Sequence, residues 1–188
     1  MKHNNGHIME MSWSFATEWI KGVHMFEYRI LHDLPEDKIF EHKTFRDDVD
    51  FHCFLVACRQ LERSVIMAHG AWEDTVGKKK LKKALDVFKK QTPYLASLRN
   101  VGEHFDDYLL QKGRDKSIDS RGLRVYSVEF EKGETYKIDW LNYKINLKQA
   151  VKAADILYKN FIAIYKQEVV RRKALRSHPE EAKVVEVN

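Results

Sequence analysis

The sequence predicts a mainly α-helical protein, a bundle of about five helices with a small antiparallel β-hairpin or meander inserted before the last helix. Two observations support this fold class. Over most of the 188 residues, apolar side chains recur at intervals of three and four, the spacing of an amphipathic helix. Only in residues 121–146 does the period shorten to two, with aromatic and β-branched residues alternating with polar ones, as in strands.

Four helices are predicted before the strands, over residues 17–31, 48–69, 78–90 and 92–113. Pro35 breaks the chain after the first helix, and residues 70–77, with a glycine at each end, are expected to form a loop. Thr92 and Pro93 are typical of a helix start, and Gly113 of a helix end. The main positions expected to face the core are Trp19, Ile20, Val23, Ile30, Leu31, Phe51, Phe54, Leu55, Cys58, Leu61, Val65, Ile66, Leu81, Ala84, Leu85, Phe88, Tyr94, Leu98, Val101, Phe105, Tyr108 and Leu109.

Strands are predicted at residues 124–130 and 135–140, with a short third strand at 143–145. Asn146 is expected to cap the last helix, because Gln149 follows three residues later. That helix is predicted to continue to about residue 176. Its expected buried positions are Val151, Ala154, Leu157 (or Tyr158), Phe161, Tyr165 and Val169.

Composition indicates one domain over residues 1–188. Hydrophobic residues make up 44% of the chain and aromatic residues 12%, enough for a sizeable core and too many for a disordered chain. The polar ends, 1–12 and 178–188, are expected to be flexible. A net charge of +5 suits a polyanionic partner, although the excess is mild.

The sequence predicts a reduced cytoplasmic protein. No run of eighteen apolar residues is present, so no membrane span is expected, and the first residues do not resemble a signal peptide. Cys53 and Cys58 are five residues apart on a predicted helix. Because that spacing places them on different faces, no disulfide is expected between them.

Several common catalytic motifs are absent. The sequence contains no G-x-x-x-x-G-K-[ST], H-E-x-x-H, E-x-x-H or C-x-x-C pattern, so no metal or other cofactor is predicted. Cys53 lies beside His52, but neighbouring positions on a helix point to different faces. A cysteine in the core is therefore preferred over a metal site.

One face of the helix at residues 92–113 is dense in polar groups. At roughly 100° per residue, its apolar side chains form one stripe, and the polar ones gather on the other side. These polar residues are Arg99, Asn100, Glu103, His104 and Asp107.

Within that face, Arg99, Asn100 and His104 form the pattern R-N-x-x-x-H. This pattern resembles the signature of the HEPN family, small helical bundles that include many metal-independent ribonucleases. The resemblance implies an RNA-acting homodimer, with these three residues in the catalytic roles, and leaves open an antitoxin or other regulatory partner. The related H-x-Y variant is missing because Asp106 follows Phe105, so nucleotidylation by that route is not expected.

The predicted chemistry is cleavage of RNA by its own 2′-hydroxyl. His104 suits proton transfer near neutral pH, and the Arg99 guanidinium offers several donors to a phosphate. Asn100 would orient His104 or a phosphate oxygen, and Glu103 would hold Arg99 extended. Two alternatives remain: a nucleotide-binding protein, or a non-catalytic helical dimerisation or interaction module that uses the same polar face for contacts. The polar face also fits an ordinary surface pair of Arg99 with Glu103 beside a solvated histidine.

Two basic clusters are candidates for holding RNA. The first comprises Lys78, Lys79, Lys80, Lys82 and Lys83, followed by Lys89 and Lys90, and the second contains Arg171 and Arg172 with Lys173 and Arg176. Each cluster taken alone is also typical of a solvated helix face. The aromatic residues of the strands would either stack on bases or cover the bundle. They are Tyr126, Tyr136 and Trp140.

Overall fold

The computed structural model describes residues 5–32, 43–104, 107–108, 110–118, 126–131, 135–141 and 143–177. Within them the chain forms five helices and one three-stranded sheet. The helices are α1 (Asn5–Leu31), α2 (Lys43–Ala71), α3 (Thr75–Gln91), α4 (Leu95–Glu103) and α5 (Leu147–Ser177). The strands are β1 (Tyr126–Glu131), β2 (Thr135–Trp140) and β3 (Tyr143–Asn146). The predicted fold class, a helical bundle with a small antiparallel insertion before the last helix, is confirmed.

Helices α1 and α2 form a long antiparallel pair. Arg29 donates to Asp50 at 2.8 Å near one end of the pair, and Asn5 donates to Glu73 at 2.9 Å near the other. Between these two contacts, Gly22 faces Ala57, and a Cβ built on the glycine would lie 3.5 Å from the alanine Cβ. A methyl group at Gly22 would make an ordinary van der Waals contact there, so the close packing of the two helices does not require a glycine at this position.

Helix α5 lies along α1 for most of its length. His24 bonds to Asp155 at 2.9 Å, and Trp13 stacks on Tyr165 with ring centroids 5.6 Å apart. The first helix begins earlier than predicted, at Asn5 instead of residue 17, so residues 5–12 belong to α1, and Met9 is buried. These residues contain few apolar side chains, and their burial depends on the distant α5.

The predicted loop at residues 70–77 is much shorter in the structure. Helix α2 continues through Gly70 to Ala71, and α3 begins at Thr75. The side chain of Asp74 accepts a hydrogen bond from the N–H of Gly77, which caps the first turn of α3. The predicted loop was therefore wrong at both ends. At its second end, the N-cap at Asp74 lets α3 include Gly77, the glycine that suggested a loop.

The predicted helix over residues 92–113 is also shorter in the structure. The N–H and Oγ1 of Thr92 both donate to the carbonyl oxygen of Phe88, each at 2.9 Å. Thr92 therefore ends α3 instead of starting α4, which extends only from Leu95 to Glu103. Gly113 packs against the ring of Tyr108 and has no left-handed φ, whereas Gln111 has one, at 58°.

The sheet is an antiparallel meander in the order β1-β2-β3. Trp140 pairs with Tyr126 on β1 and with Tyr143 on β3. Its indole is buried and meets the ring of Phe51 on α2 edge to face, 6.0 Å away. Asn146 accepts a hydrogen bond from the N–H of Gln149 at 2.9 Å, so the predicted cap of the last helix is confirmed.

The core joins all five helices to β2 and β3, and most predicted core positions are confirmed. Leu31 and Ile66 are exceptions, because each is partly exposed. Conversely, the charged residue Glu62 of α2 is buried, although it was not among the predicted core positions. Cys53 and Cys58 are both free thiols. In the described part of the chain, no helix is both long enough and apolar enough to cross a membrane. Expectations for Pro35, Phe105, Asp106, Leu109, the turn at 132–134 and the tail at 178–188 concern residues outside that part.

Candidate functional site

Helix α4 separates apolar and polar residues as predicted. Leu98 and Val101 are buried against α2, Arg99 and Asn100 are half-buried, and His104 is exposed. The hydrophobic effect orients the helix by burying the apolar stripe. That orientation leaves the side chains of the R-N-x-x-x-H pattern at the edge of the core or in solvent.

His104 lies at the C-terminal end of α4. Its N–H donates to the carbonyl oxygen of Asn100 at 3.1 Å, and its own carbonyl accepts from the N–H of Tyr108. The imidazole Nδ1 is 3.8 Å from the carboxylate of Asp107, and both side chains are about half exposed, at 54% and 51%. A pair this open contributes little to stability. Because about half of its side chain is exposed, the imidazole is accessible from solvent.

Arg99 and His104 do not share one side of α4. Five residues of helix separate them by about 140° around the axis and about 7.5 Å along it. One copy of α4 therefore offers two separate polar positions instead of one closed site. The side chain of Glu103, which was predicted to hold Arg99, lies outside the described part of the chain.

A second histidine lies much nearer to the Arg99 side of α4. His52 projects from α2 onto Gly102, where a Cβ built on the glycine would lie 2.7 Å from the imidazole Cδ2. The ring also meets Trp140 edge to face, with centroids 4.9 Å apart. The sequence analysis assigned His52 no role. A glycine inside an amphipathic helix often marks a close approach of another group. Gly102 is such a signal, but it does not identify the residue that approaches.

The lysines of α3 form a positively charged surface. Lys79, Lys80, Lys82 and Lys83 are exposed, and Lys78 is half-buried. A shallow depression of about 380 Å³ is lined by Lys79, Lys82, Lys83, Asp86, Val87 and Lys90.

The positive charge of this lysine surface lowers the pKa of a neighbouring histidine. The pKa of His69 is lowered, first by partial burial and then by the positive charges of Lys78 and Lys82. A phosphate group would meet the same field with a favourable sign.

The second basic cluster is partly committed to an internal ion pair. Arg171 and Arg172 both donate to the buried carboxylate of Glu168, at distances of 2.7–2.8 Å. Arg172 also donates to the sulfur of Met9 at 3.1 Å. Hydrogen bonding to Arg171, followed by that to Arg172, holds the pKa of Glu168 below its usual value. Of the two arginines, Arg172 joins α5 to α1 through Met9, whereas Arg171 bonds within α5.

The aromatic residues of the sheet divide into two groups. Trp140 is 2% exposed and packs on Phe51 and His52, so it covers the bundle and is not open to a base. The side chains of Tyr126 and Tyr136 lie outside the described part of the chain.

The thiols do not form a reactive site. Burial raises the pKa of Cys58 and, together with the charge of Asp50, that of Cys53. The reactive thiolate is therefore disfavoured at both positions. Among the described residues, no group of three or more histidine, cysteine or acidic side chains is arranged to hold a metal ion.

A groove of about 670 Å³ runs between α1 and α2, away from α4. Its apolar lining comes from Phe15 and Trp19 on α1 and from Ile66 and Met67 on α2. The polar residues along it are Arg59, Gln60, Arg63 and Ser64.

In comparisons with protein-family models, curated proteins and solved structures, nothing matches this chain. The resemblance of residues 99–104 to the HEPN signature stays a prediction from the motif.

Proposed function

We propose that this chain is a HEPN-like RNA-acting protein, a metal-independent endoribonuclease that uses Arg99 and His104. One observation carries the proposal: α4 buries its apolar stripe and leaves Arg99, Asn100 and His104 at the core edge or in solvent. A guanidinium and an accessible imidazole on one short helix are the groups that phosphodiester transfer needs.

In the proposed reaction, the 2′-oxygen of the RNA attacks the adjacent phosphorus. A new P–O2′ bond forms, the P–O5′ bond breaks, and the products are a 2′,3′-cyclic phosphate and a free 5′-hydroxyl. His104 accepts the proton of the 2′-hydroxyl, and Arg99 stabilises the charge that builds on the non-bridging oxygens. Asn100, half-buried beside Arg99, orients a phosphate oxygen.

The separation of about 140° between Arg99 and His104 favours a homodimer. Two α4 helices meeting across a symmetry axis would bring Arg99 of one protomer towards His104 of its partner. The lysine-rich face of α3 would hold the flanking phosphates.

Cleavage of RNA by purified protein in excess EDTA tests this proposal. Arg99→Ala and His104→Ala should each lower the rate on the order of a hundredfold or more, because each removes a transition-state interaction. Arg63→Ala and His7→Ala are matched controls, since both residues are exposed and lie on other helices. A wild-type protein that cuts no RNA, or unchanged rates in the two α4 variants, would refute the catalytic function.

The groove between α1 and α2 favours the second candidate function, a non-catalytic interaction module. Phe15, Ile66 and Met67 are each 36–43% exposed along it, and Arg63 lies beside them. The occupant that fits this lining is an amphipathic helix of a partner protein, with acidic residues facing the arginine. If the purified protein cuts no RNA and Phe15→Ser weakens the binding of an acidic amphipathic helical peptide, this second function is supported; unchanged peptide binding in Phe15→Ser would contradict it.

A further inference from the structure

Gly102 is the starting observation. Glycine inside a helix costs about 1 kcal/mol relative to alanine, so its presence in α4 calls for a reason. A Cβ at this position would lie 2.7 Å from Cδ2 and 3.4 Å from Nε2 of His52. The imidazole occupies the space that any other side chain would need.

The imidazole of His52 packs on α4 at a position close to Arg99. Gly102 follows Arg99 by three residues, so the two positions lie on neighbouring points of one side of α4, with Cβ positions about 5–6 Å apart. His104 lies about 140° from Arg99 around the same helix. Within one protomer, His52 is therefore the histidine on the Arg99 side of α4.

The ring of His52 also contacts the sheet. Trp140 meets it edge to face at 4.9 Å, and Trp140 is itself fixed against Phe51 of α2. The imidazole remains half-buried, so part of it faces solvent. A histidine clamped between two elements and still accessible is suited to act on a bound substrate.

We propose that His52 is a catalytic residue of the same site, the donor of the proton that the leaving 5′-oxygen takes up; this inference rests on the proposed ribonuclease function. Cleavage moves two protons, one off the 2′-hydroxyl and one onto the 5′-oxygen. His104 accepts the first, and His52 supplies the second. The attacking and leaving oxygens lie in line on opposite sides of the phosphorus, and His104 and His52 lie in different directions from Arg99. With His104 acting on the 2′-hydroxyl, His52 is the histidine left for the 5′-oxygen.

The experiment compares two substrates that differ in their leaving group. A dinucleotide such as UpA needs a proton on its departing 5′-oxygen. Uridine 3′-(4-nitrophenyl phosphate) does not, because nitrophenolate is stable without one. His52→Gln should lower kcat on UpA on the order of a hundredfold. On the nitrophenyl ester the same variant should lose less than about threefold, whereas His104→Ala should be slow on both substrates.

Gly102→Ala supplies an independent variant that leaves every polar group in the sequence. Its methyl group displaces the imidazole, so it should reproduce the pattern of His52→Gln. Gly70→Ala is the matched control, because it also replaces a helical glycine but a Cβ there meets nothing within 4 Å. Gly70→Ala should leave both rates unchanged. Circular dichroism melts show whether each variant is folded before its rates are compared.

The outcomes are distinguishable. If the wild type is active and His52→Gln matches it on both substrates, His52 takes no part and the inference is overturned. Equal slowing of His52→Gln on both substrates means a structural role and also overturns it. If the wild type cleaves neither substrate, the ribonuclease function itself fails, and the proton-donor role fails with it.

Discussion

At the residue scale, local packing determines which polar groups of this protein meet. Gly102 admits the imidazole of His52, and Gly113 lies under the ring of Tyr108 in a similar way. In both cases a missing side chain provides the contact surface for an aromatic or imidazole ring. These glycines are explained by their neighbours and not by backbone angles, since neither has a left-handed φ.

The two faces of α4 should respond differently to truncation. Leu98→Ala removes a fully buried side chain and should lower the free energy of unfolding by about 2–5 kcal/mol. His104→Ala removes an exposed one and should change it by about 0.5 kcal/mol or less. Urea denaturation of both variants measures the difference. A large loss in His104→Ala would indicate that the histidine is structural.

The ion pair around Glu168 should make stability depend on pH in the acid range. The pKa of this carboxyl is lowered in the folded state. Its stabilisation is therefore complete above the unfolded-state pKa of about 4.3 and is lost as the pH falls through the lower folded-state pKa. Glu168→Gln should cost about 1–3 kcal/mol at pH 7, because two guanidinium groups lose a charged acceptor.

Denaturation of wild type and Glu168→Gln from pH 7 to pH 3 tests this expectation. The gap between their unfolding free energies should narrow as the carboxyl of the wild type becomes protonated. A gap that stays constant over this range would contradict an ionised Glu168 as the source of the stabilisation.

At the element scale, α3 has two chemically different faces. Leu81, Leu85 and Phe88 are buried, and the other face carries exposed lysines around an open depression. Because the buried face holds the helix in place, charge can be removed from the outer face with little effect on the fold.

Replacing the lysines of that face should weaken RNA binding and make the affinity less dependent on salt. Wild-type affinity for a single-stranded oligonucleotide should fall linearly with salt on logarithmic axes, since phosphate contacts release counterions. Replacing Lys79, Lys82 and Lys83 by glutamine should flatten that slope by up to about two units. Lys144→Gln, on β3, is the exposed control. An unchanged slope in the triple variant would leave α3 a solvated face.

The elements that could be predicted from sequence are those with local signals. The stripe of α3 and the cap at Asn146 depend on residues within one or two turns, and both are confirmed. The start of α1 was missed because Met9 is buried by contacts with α5, which is distant in sequence. The length of α4 was overestimated because Thr92 serves the preceding helix.

The same distinction between local signals and contacts distant in sequence applies to the candidate site. Its polar residues on α4 were found because the period of the helix identifies them. His52 was not, since its approach to Gly102 joins two helices fifty residues apart in sequence. No periodic pattern within one helix contains that information.

At the scale of the whole molecule, the proposed site requires a second copy. A sedimentation experiment at high micromolar concentration should show a dimer, because one α4 keeps Arg99 and His104 on different sides. Mixing inactive Arg99→Ala with inactive His104→Ala should restore part of the activity, since one of the two composite sites in the mixed dimer is intact. A monomer, or mixed variants that stay inactive, would contradict a shared site.

The cap at Asn146 has a consequence for the sheet as a whole. This residue ends β3 and, through its side chain, also begins α5. No connecting residue separates strand from helix, so the junction has no hinge. A shortened chain that lacks the meander would also lose the cap of its longest helix, so the β insertion cannot be excised as an independent module.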